Sequence, residues 1–248
     1  MTDLAAVEAC ETRLVNLWPA LDTLLIGDWV LRFANGYSGR ANSASAIRPG
    51  ADLGPGDLAL IARLYRSAGL QPAIRITPLA HPDLTARLEK AGWQVRTRSI
   101  GMLAEPRTDW GQAPDVEIAT TPPGPWLKGI SALQEPSKRN PAHLAAIVGR
   151  IRLPAGFATL HHDGRPAVFG MAALDRGWAE IGAIIAAPEA RGKGLGRKLV
   201  TSLLGWAAAH GAERVFLQVE ASNGPARALY AALGFAPLYD YCEYRLPL

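Results

Sequence analysis

The chain has 248 residues, 49% of them apolar and 19% charged, and that balance excludes an intrinsically disordered protein. Its formal net charge of +4 comes from arginines scattered along the chain, with no block of like charge to suggest a nucleic-acid-binding arm. Cys10 and Cys242 are the only cysteines and form no C-x-x-C pair, so neither a disulfide framework nor a zinc site is indicated, and a reducing cytoplasm is expected.

In chain order, MTDLAAVEACETRL mixes acids into an amphipathic pattern where a signal peptide needs a basic start and an apolar run. No apolar stretch approaches the roughly 20 residues of a bilayer span, so no membrane association is expected. GDWVLRFANG then reads as a strand, and LALIARLYRSAGL as a helix. Between them GYSGRANSAS, residues 36–45, is unusually polar: it is either a wall of a substrate cleft or a turn followed by an edge strand. TARLEKAGWQVRTRSIGML gives a short helix, a glycine suited to a left-handed cap, an aromatic and a strand.

The Pro- and Gly-rich stretches AEPRTDWGQAPD and TTPPGPW lack periodicity and read as a connector and a following loop, placing a domain boundary near residue 110. Domains over 1–110 and 111–248 result. HHDGRP reads as a hairpin turn, and His143, His161 and His162 show no metal-ligand spacing, so no metal is expected. WAEIGAIIAAPEA is a β-branched strand broken by Pro188, and after RGKGLG the apolar residues Leu195, Leu199, Leu203 and Trp206 recur at helical spacing until Gly211. ARALYAALGFAPLYDYCEYRL repeats the helix, glycine, aromatic and strand phrase of the first half. Aligning Gly92 with Gly234, an offset of 234 − 92 = 142, pairs Trp93 with Phe235, and the match extends upstream with small gaps. Duplication of one α/β unit is the simplest explanation.

ARGKGLGRK, residues 190–198, therefore joins a strand to a helix. There successive backbone N–H groups and the positive end of the helix dipole converge into an anion site, and glycines at 192, 194 and 196 let a bulky diphosphate approach. The pattern alone also fits a tight turn. Neither a P-loop nor a dinucleotide fingerprint matches its spacing. The first half has RPGADLGPGD at the same place, where prolines remove donors and acids repel anions, so its anion site is expected to be lost.

Arg191-Gly192-Lys193-Gly194-Leu195-Gly196, with Pro188 before it, resembles the acyl-CoA pyrophosphate motif of the GNAT N-acetyltransferase superfamily, R/Q-x-x-G-x-G/A. NGPARALYAALGF, residues 223–235, is similar to that family's N-x-x-A-x-x-L-Y-x-x-x-G-F segment at every fixed position. The likeness covers about Val116 to Leu248 well, and the first half as a degraded copy of the kind found in tandem GNAT proteins. It implies an α/β (α+β) fold of two mixed sheets flanked by helices. It further implies acetyl-CoA as cosubstrate, held by the backbone of Ile184, Ile185 and Ala186 at its acetyl and pantetheine end. The amides from Arg191 to Arg197 would hold the pyrophosphate, and Asn223 would contact the cosubstrate nearby. The strand before the loop is expected to splay from the next one, ERVFLQVEA. Lys138 and Arg139 fall in the family's variable substrate-binding region or on an ordinary exposed basic loop.

Acetyl transfer to an amine requires a base, because a lysine-like amine has a pKa of roughly 10.4. Glu180 is the candidate, placed by alternation on one strand face with Gly182, Ile184 and Ala186. Desolvation among Trp178, Ile181 and Ile184 would raise its pKa toward a useful range; the alternative is an exposed acid at a strand start. The resemblance implies Tyr230 as the acid that protonates the leaving thiolate, against a role packing on Ala226 and Leu233. A covalent route would need a positioned thiol, and the spacing of Cys10 and Cys242 indicates none, so direct attack in a ternary complex is favoured. The expected enzyme acts on an amine as a monomer or homodimer, with no nucleic acid. A non-catalytic acyl-CoA-binding module is the alternative. A ribosome or RNA binder is disfavoured by the dispersed charge.

Overall fold

The computed structural model describes residues 2–135 and 140–247; Lys138 and Arg139 lie outside them. The chain forms two compact units. One takes the residues up to Met102, Gln218–Gly224 and those from Pro237 on, and the other takes Leu103–Leu217 and Pro225–Ala236.

The first unit opens with α1 (Leu4–Leu17), capped by Asp3, whose side chain accepts from the Ala6 amide at 3.0 Å. Then come β1 (Asp22–Ile26), β2 (Trp29–Phe33), β3 (Ala44–Ala46), α2 (Pro55–Ser67), β4 (Ala73–Ile76), α3 (Leu84–Lys90) and β5 (Gln94–Ala104). β1, β2 and β3 pair antiparallel, and β3 pairs parallel with β4. The strand beside β4 is β11 (Ala236–Arg245), from the far end of the chain, running antiparallel with Glu243 opposite Arg75. Beyond it the Leu246 amide donates to the Pro72 carbonyl at 3.1 Å.

Charge lies at the centre of this unit. Glu11 sits on the buried face of α1 with Val7, Cys10 and Leu14, and grips the Arg75 guanidinium through two bonds of 2.9 and 3.1 Å. Tyr239 and Gln218 both donate to Glu11 Oε1, and Arg75 lies over the Tyr241 ring at 4.4 Å. Burial first, and the Glu11 charge next, push the Tyr239 phenol well above its ordinary range.

The second unit contains β6 (Val116–Ala119), α4 (Gly124–Leu133), α5 (Pro141–Val148), β7 (Ala155–His162), β8 (Arg165–Asp175), β9 (Trp178–Ala186), α6 (Leu195–Ala209), the start of β10 (Arg214–Glu220) and most of α7 (Gly224–Ala232). Its strands lie in the order β10-β9-β8-β7-β6. β7 and β8 form a hairpin through Asp163 and Gly164, both at positive φ, as HHDGRP leads one to expect. α4 covers one sheet face: Trp126 Nε1 donates to the Gly170 carbonyl at 3.1 Å, and its ring meets Phe157 edge-on at 5.1 Å. α6 covers the other, with Leu199 and Leu203 against β8.

The repeat shows at the ends of α3 and α7. The Trp93 amide donates to the Leu88 carbonyl and the Phe235 amide to the Tyr230 carbonyl, each at 3.0 Å, so the two glycine-ended caps share one hydrogen-bond pattern at the 142-residue offset.

Candidate active site

β9 and β10 pair in parallel only over Trp178–Glu180 and Arg214–Phe216. Past Glu180, among the described residues, β9 runs on to Ala186 with β8 as its paired neighbour. Among the described residues the ladder between these strands is recorded no further, and Ile184–Ala186 lie on β9 beyond its last pair.

A bulge lies in the same stretch. Phe169 pairs with Ile185 and Met171 with Gly182, so Gly170 alone faces both Ala183 and Ile184. Ala183 takes φ +54°, a conformation costing a non-glycine residue about 1 kcal/mol or more. A side chain on Gly170 would meet Ile184 Cδ1 at 2.4 Å, so glycine is needed where the bulge presses inward.

The bulge corrects one expectation. Unbroken alternation would set Glu180, Gly182, Ile184 and Ala186 on one face. The extra residue shifts the parity: Glu180 and Gly182 share a face with Ile185, on the side of α4, whereas Ile184 turns toward Leu199 and Leu203 of α6. Glu180 is 2% exposed, which overturns the reading of an exposed acid at a strand start.

After β9 a short 3-10 turn over Pro188–Ala190 leads into the loop. Gly192 and Gly194 stand at φ +71° and +73°, and Gly194 caps α6 with no side chain bonded to the cap. Gly196 lies within the first helical turn, with no atom inside 4 Å of where a Cβ would project. A small side chain would therefore meet no crowding there. The basic side chains turn aside: Arg191 Nε donates to the Ala186 carbonyl at 3.2 Å, and Lys193 Nζ lies 2.9 Å from His162 Nε2. A cavity of about 460 Å³ lies beside α6, between Gly194, Arg197 and Lys198 and the connector residues Asp109, Gly111 and Gln112.

The matching helix start in the first unit is closed. Pro55 opens α2, Asp57 accepts from the Gly54 amide at 2.9 Å, and Asp52 accepts from the Leu53 amide and from Arg87. The hydrogen bond from Arg87 holds the Asp52 carboxyl below the usual carboxylate range. Carboxylates thus take the Leu53 and Gly54 amides at the entry to α2. The GYSGRANSAS segment is likewise committed internally. Asn42 accepts from the Ala34 and Gly36 amides, Ser43 donates to Gly39, and Ser45 accepts from Arg75. Its strand, β3, lies between β2 and β4 and is not an edge.

Tyr230, on α7, is 8% exposed and meets Phe235 edge-on at 6.0 Å. Glu180, the Ile184–Ala186 backbone, the Arg191–Arg197 loop and Tyr230 all belong to the second unit, while Asn223 falls in the first. Neither the Glu11 cluster nor the connector wall beside α6 is marked in the sequence, because each joins residues that are far apart in the chain and follow no pattern.

A family described as "Probable histone acetyltransferase Rv0428c C-terminal" matches residues 4–242. The "Uncharacterized N-acetyltransferase YobR" of Bacillus subtilis is 29% identical over 235 residues, 92% of this chain and 94% of that protein. Among solved structures, a GCN5-related N-acetyltransferase from Kribbella flavida superposes with a TM-score of 0.70 at 18% identity, covering 100% of this chain and 97% of that one. A tandem GNAT protein from the clavulanic acid biosynthesis pathway gives 0.62 at 19% identity, over 80% and 75%. Among the described residues no helix is long and apolar enough to cross a membrane. With a family match spanning almost the whole chain over a mixed α/β fold of this kind, the protein belongs to the Rv0428c C-terminal family and is a GNAT N-acetyltransferase, an acyltransferase.

Proposed function

We propose that the second unit moves an acetyl group from acetyl-CoA to a primary amine by direct attack in a ternary complex, with Glu180 as general base and Tyr230 as general acid. The observation that carries this reading is the continuity of β9. A buried carboxylate, a bulged strand beyond its last pair with β10 and a helix start with no side-chain cap bond follow one another along Glu180–Gly196.

These residues suit acetyl-CoA. The amides at the start of α6 and the open space at Gly196 suit its pyrophosphate, and the backbone of Ile184–Ala186, beyond the last pair with β10, suits the amide groups of its pantetheine arm. Asn223, placed by the family motif, is proposed as a further contact. Bound there, the cosubstrate supplies an activated acetyl thioester.

Glu180 takes a proton from the ammonium form of the acceptor. The freed nitrogen lone pair forms a C–N bond to the thioester carbonyl carbon, and a strand amide near Ala186 donates to the resulting oxyanion. As the C–S bond breaks, the Tyr230 hydroxyl gives its proton to sulfur, and the phenolate recovers one from the acylated nitrogen. Glu180 returns its proton to solvent, leaving an N-acetyl amine and a free thiol.

Glu180→Gln tests this assignment in steady-state kinetics. Turnover should fall about 100-fold or more at neutral pH with acetyl-CoA affinity unchanged, and the deficit should shrink as pH rises toward the pKa of the acceptor. Turnover equal to the parent enzyme at every pH would remove Glu180 from the reaction.

A further inference from the structure

The connector between β5 and β6 is more than a tether. The Trp110 amide donates to the Arg107 carbonyl at 3.2 Å, forming a turn, and the chain then lies along α6. Gly111 packs so closely there that a Cβ on Gly205 would stand 2.8 Å from its Cα. Two residues on, the Ala113 amide donates to Ser202 Oγ at 3.0 Å. At the other end Arg107 lies across the glycine that ends α7: its Cδ is 3.1 Å from where a Cβ of Gly234 would sit.

Between these anchors the Trp110 ring is 7% exposed and stacks on Phe235, with centroids 6.4 Å apart and planes 18° from parallel. Phe235 is 3% exposed and meets Tyr230 edge-on. Its amide also donates to the Tyr230 carbonyl, so Phe235 holds Tyr230 by ring and by backbone. The buried Trp110 indole N–H has no hydrogen-bond partner among the described residues. A tryptophan kept at that cost is kept for its flat surface and not for its polar handle.

We infer that the segment Arg107–Ala113 is a positioning strap for the general acid, in which Trp110, acting through Phe235, fixes the ring of Tyr230. The inference rests on the proposed role of Tyr230. The strap does not touch the reacting atoms; it removes freedom from the residue that does. Proton donation depends steeply on placement, so loosening the stack should slow turnover by about ten- to hundredfold while leaving acetyl-CoA binding almost unchanged.

The test uses the full-length protein in five forms: parent, Trp110→Ala, Trp110→Phe, Tyr230→Phe and the Trp110→Ala/Tyr230→Phe double variant. Trp110→Leu, which keeps apolar volume without the stack, replaces Trp110→Ala if that variant does not fold. In the parent background Trp110→Ala should lower kcat with little change in KM for acetyl-CoA, and Trp110→Phe should restore most of the loss. With Tyr230 already replaced, removing Trp110 should have little further effect. An equal factor in both backgrounds would overturn the strap, since it would show a merely structural role. Fluorotyrosine labelling adds a readout independent of chemistry: the 19F resonance of Tyr230, identified by its loss in Tyr230→Phe, should move in Trp110→Ala and return in Trp110→Phe. A resonance that stays in place would also overturn the strap. If Tyr230→Phe leaves kcat intact while the resonance moves, the acid assignment fails and the mechanical link stands.

Discussion

Glu11 and Glu180 are both 2% exposed, in different units of the chain. Glu11 is saturated by Arg75, Tyr239 and Gln218, which stand far from it in the chain, so its amphipathic sequence neighbourhood suggests only a solvated acid. Glu180 lies at the last pair of a parallel ladder, just before a bulge, and its position was legible because the loop that follows carries a recognisable motif. Glu11→Gln should cost about 3–5 kcal/mol in urea unfolding, because Arg75 would remain buried without its counter-charge. A loss below about 1 kcal/mol would show that the cluster is not an electrostatic unit.

At the scale of elements, the strand before the loop, the helix after it and the hairpin were readable from periodicity and glycines. The bulge was not, because Ala183 and not glycine takes the positive φ, and composition carries no trace of that choice. One missed residue was enough to move Ile184 and Ala186 to the other face of β9. The loop glycines separate into two kinds, which substitution can tell apart. Gly194→Ala should lower stability by about 1 kcal/mol, since alanine resists a φ of +73°. Gly196→Ala should leave stability equal or slightly higher, because the position is helical and uncrowded. Titration calorimetry with acetyl-CoA should find Gly194→Ala weakened tenfold or more and Gly196→Ala close to the parent, since the motif takes glycine or alanine at that position. Unimpaired binding by Gly194→Ala would mean that no phosphate approaches the helix start.

Across the whole molecule, the internal repeat was legible as an offset of 142 residues and reappears in the matched caps of α3 and α7. The insertion of β11 beside β4 was not, because strand pairing is a backbone interaction between segments far apart in sequence and leaves no mark on either. The first unit has the strand, loop and helix plan, with Asp52 and Asp57 bonded to backbone amides at the entry to its helix. The central claim is that the site on the second unit carries acetyl-CoA-dependent N-acetylation. The direct measurement is thiol release from acetyl-CoA by the full-length protein against a panel of primary amines, with both substrates varied. The account predicts release that depends on an amine and gives intersecting double-reciprocal lines; acetyl-CoA binding with no release for any amine, or parallel lines, would contradict it.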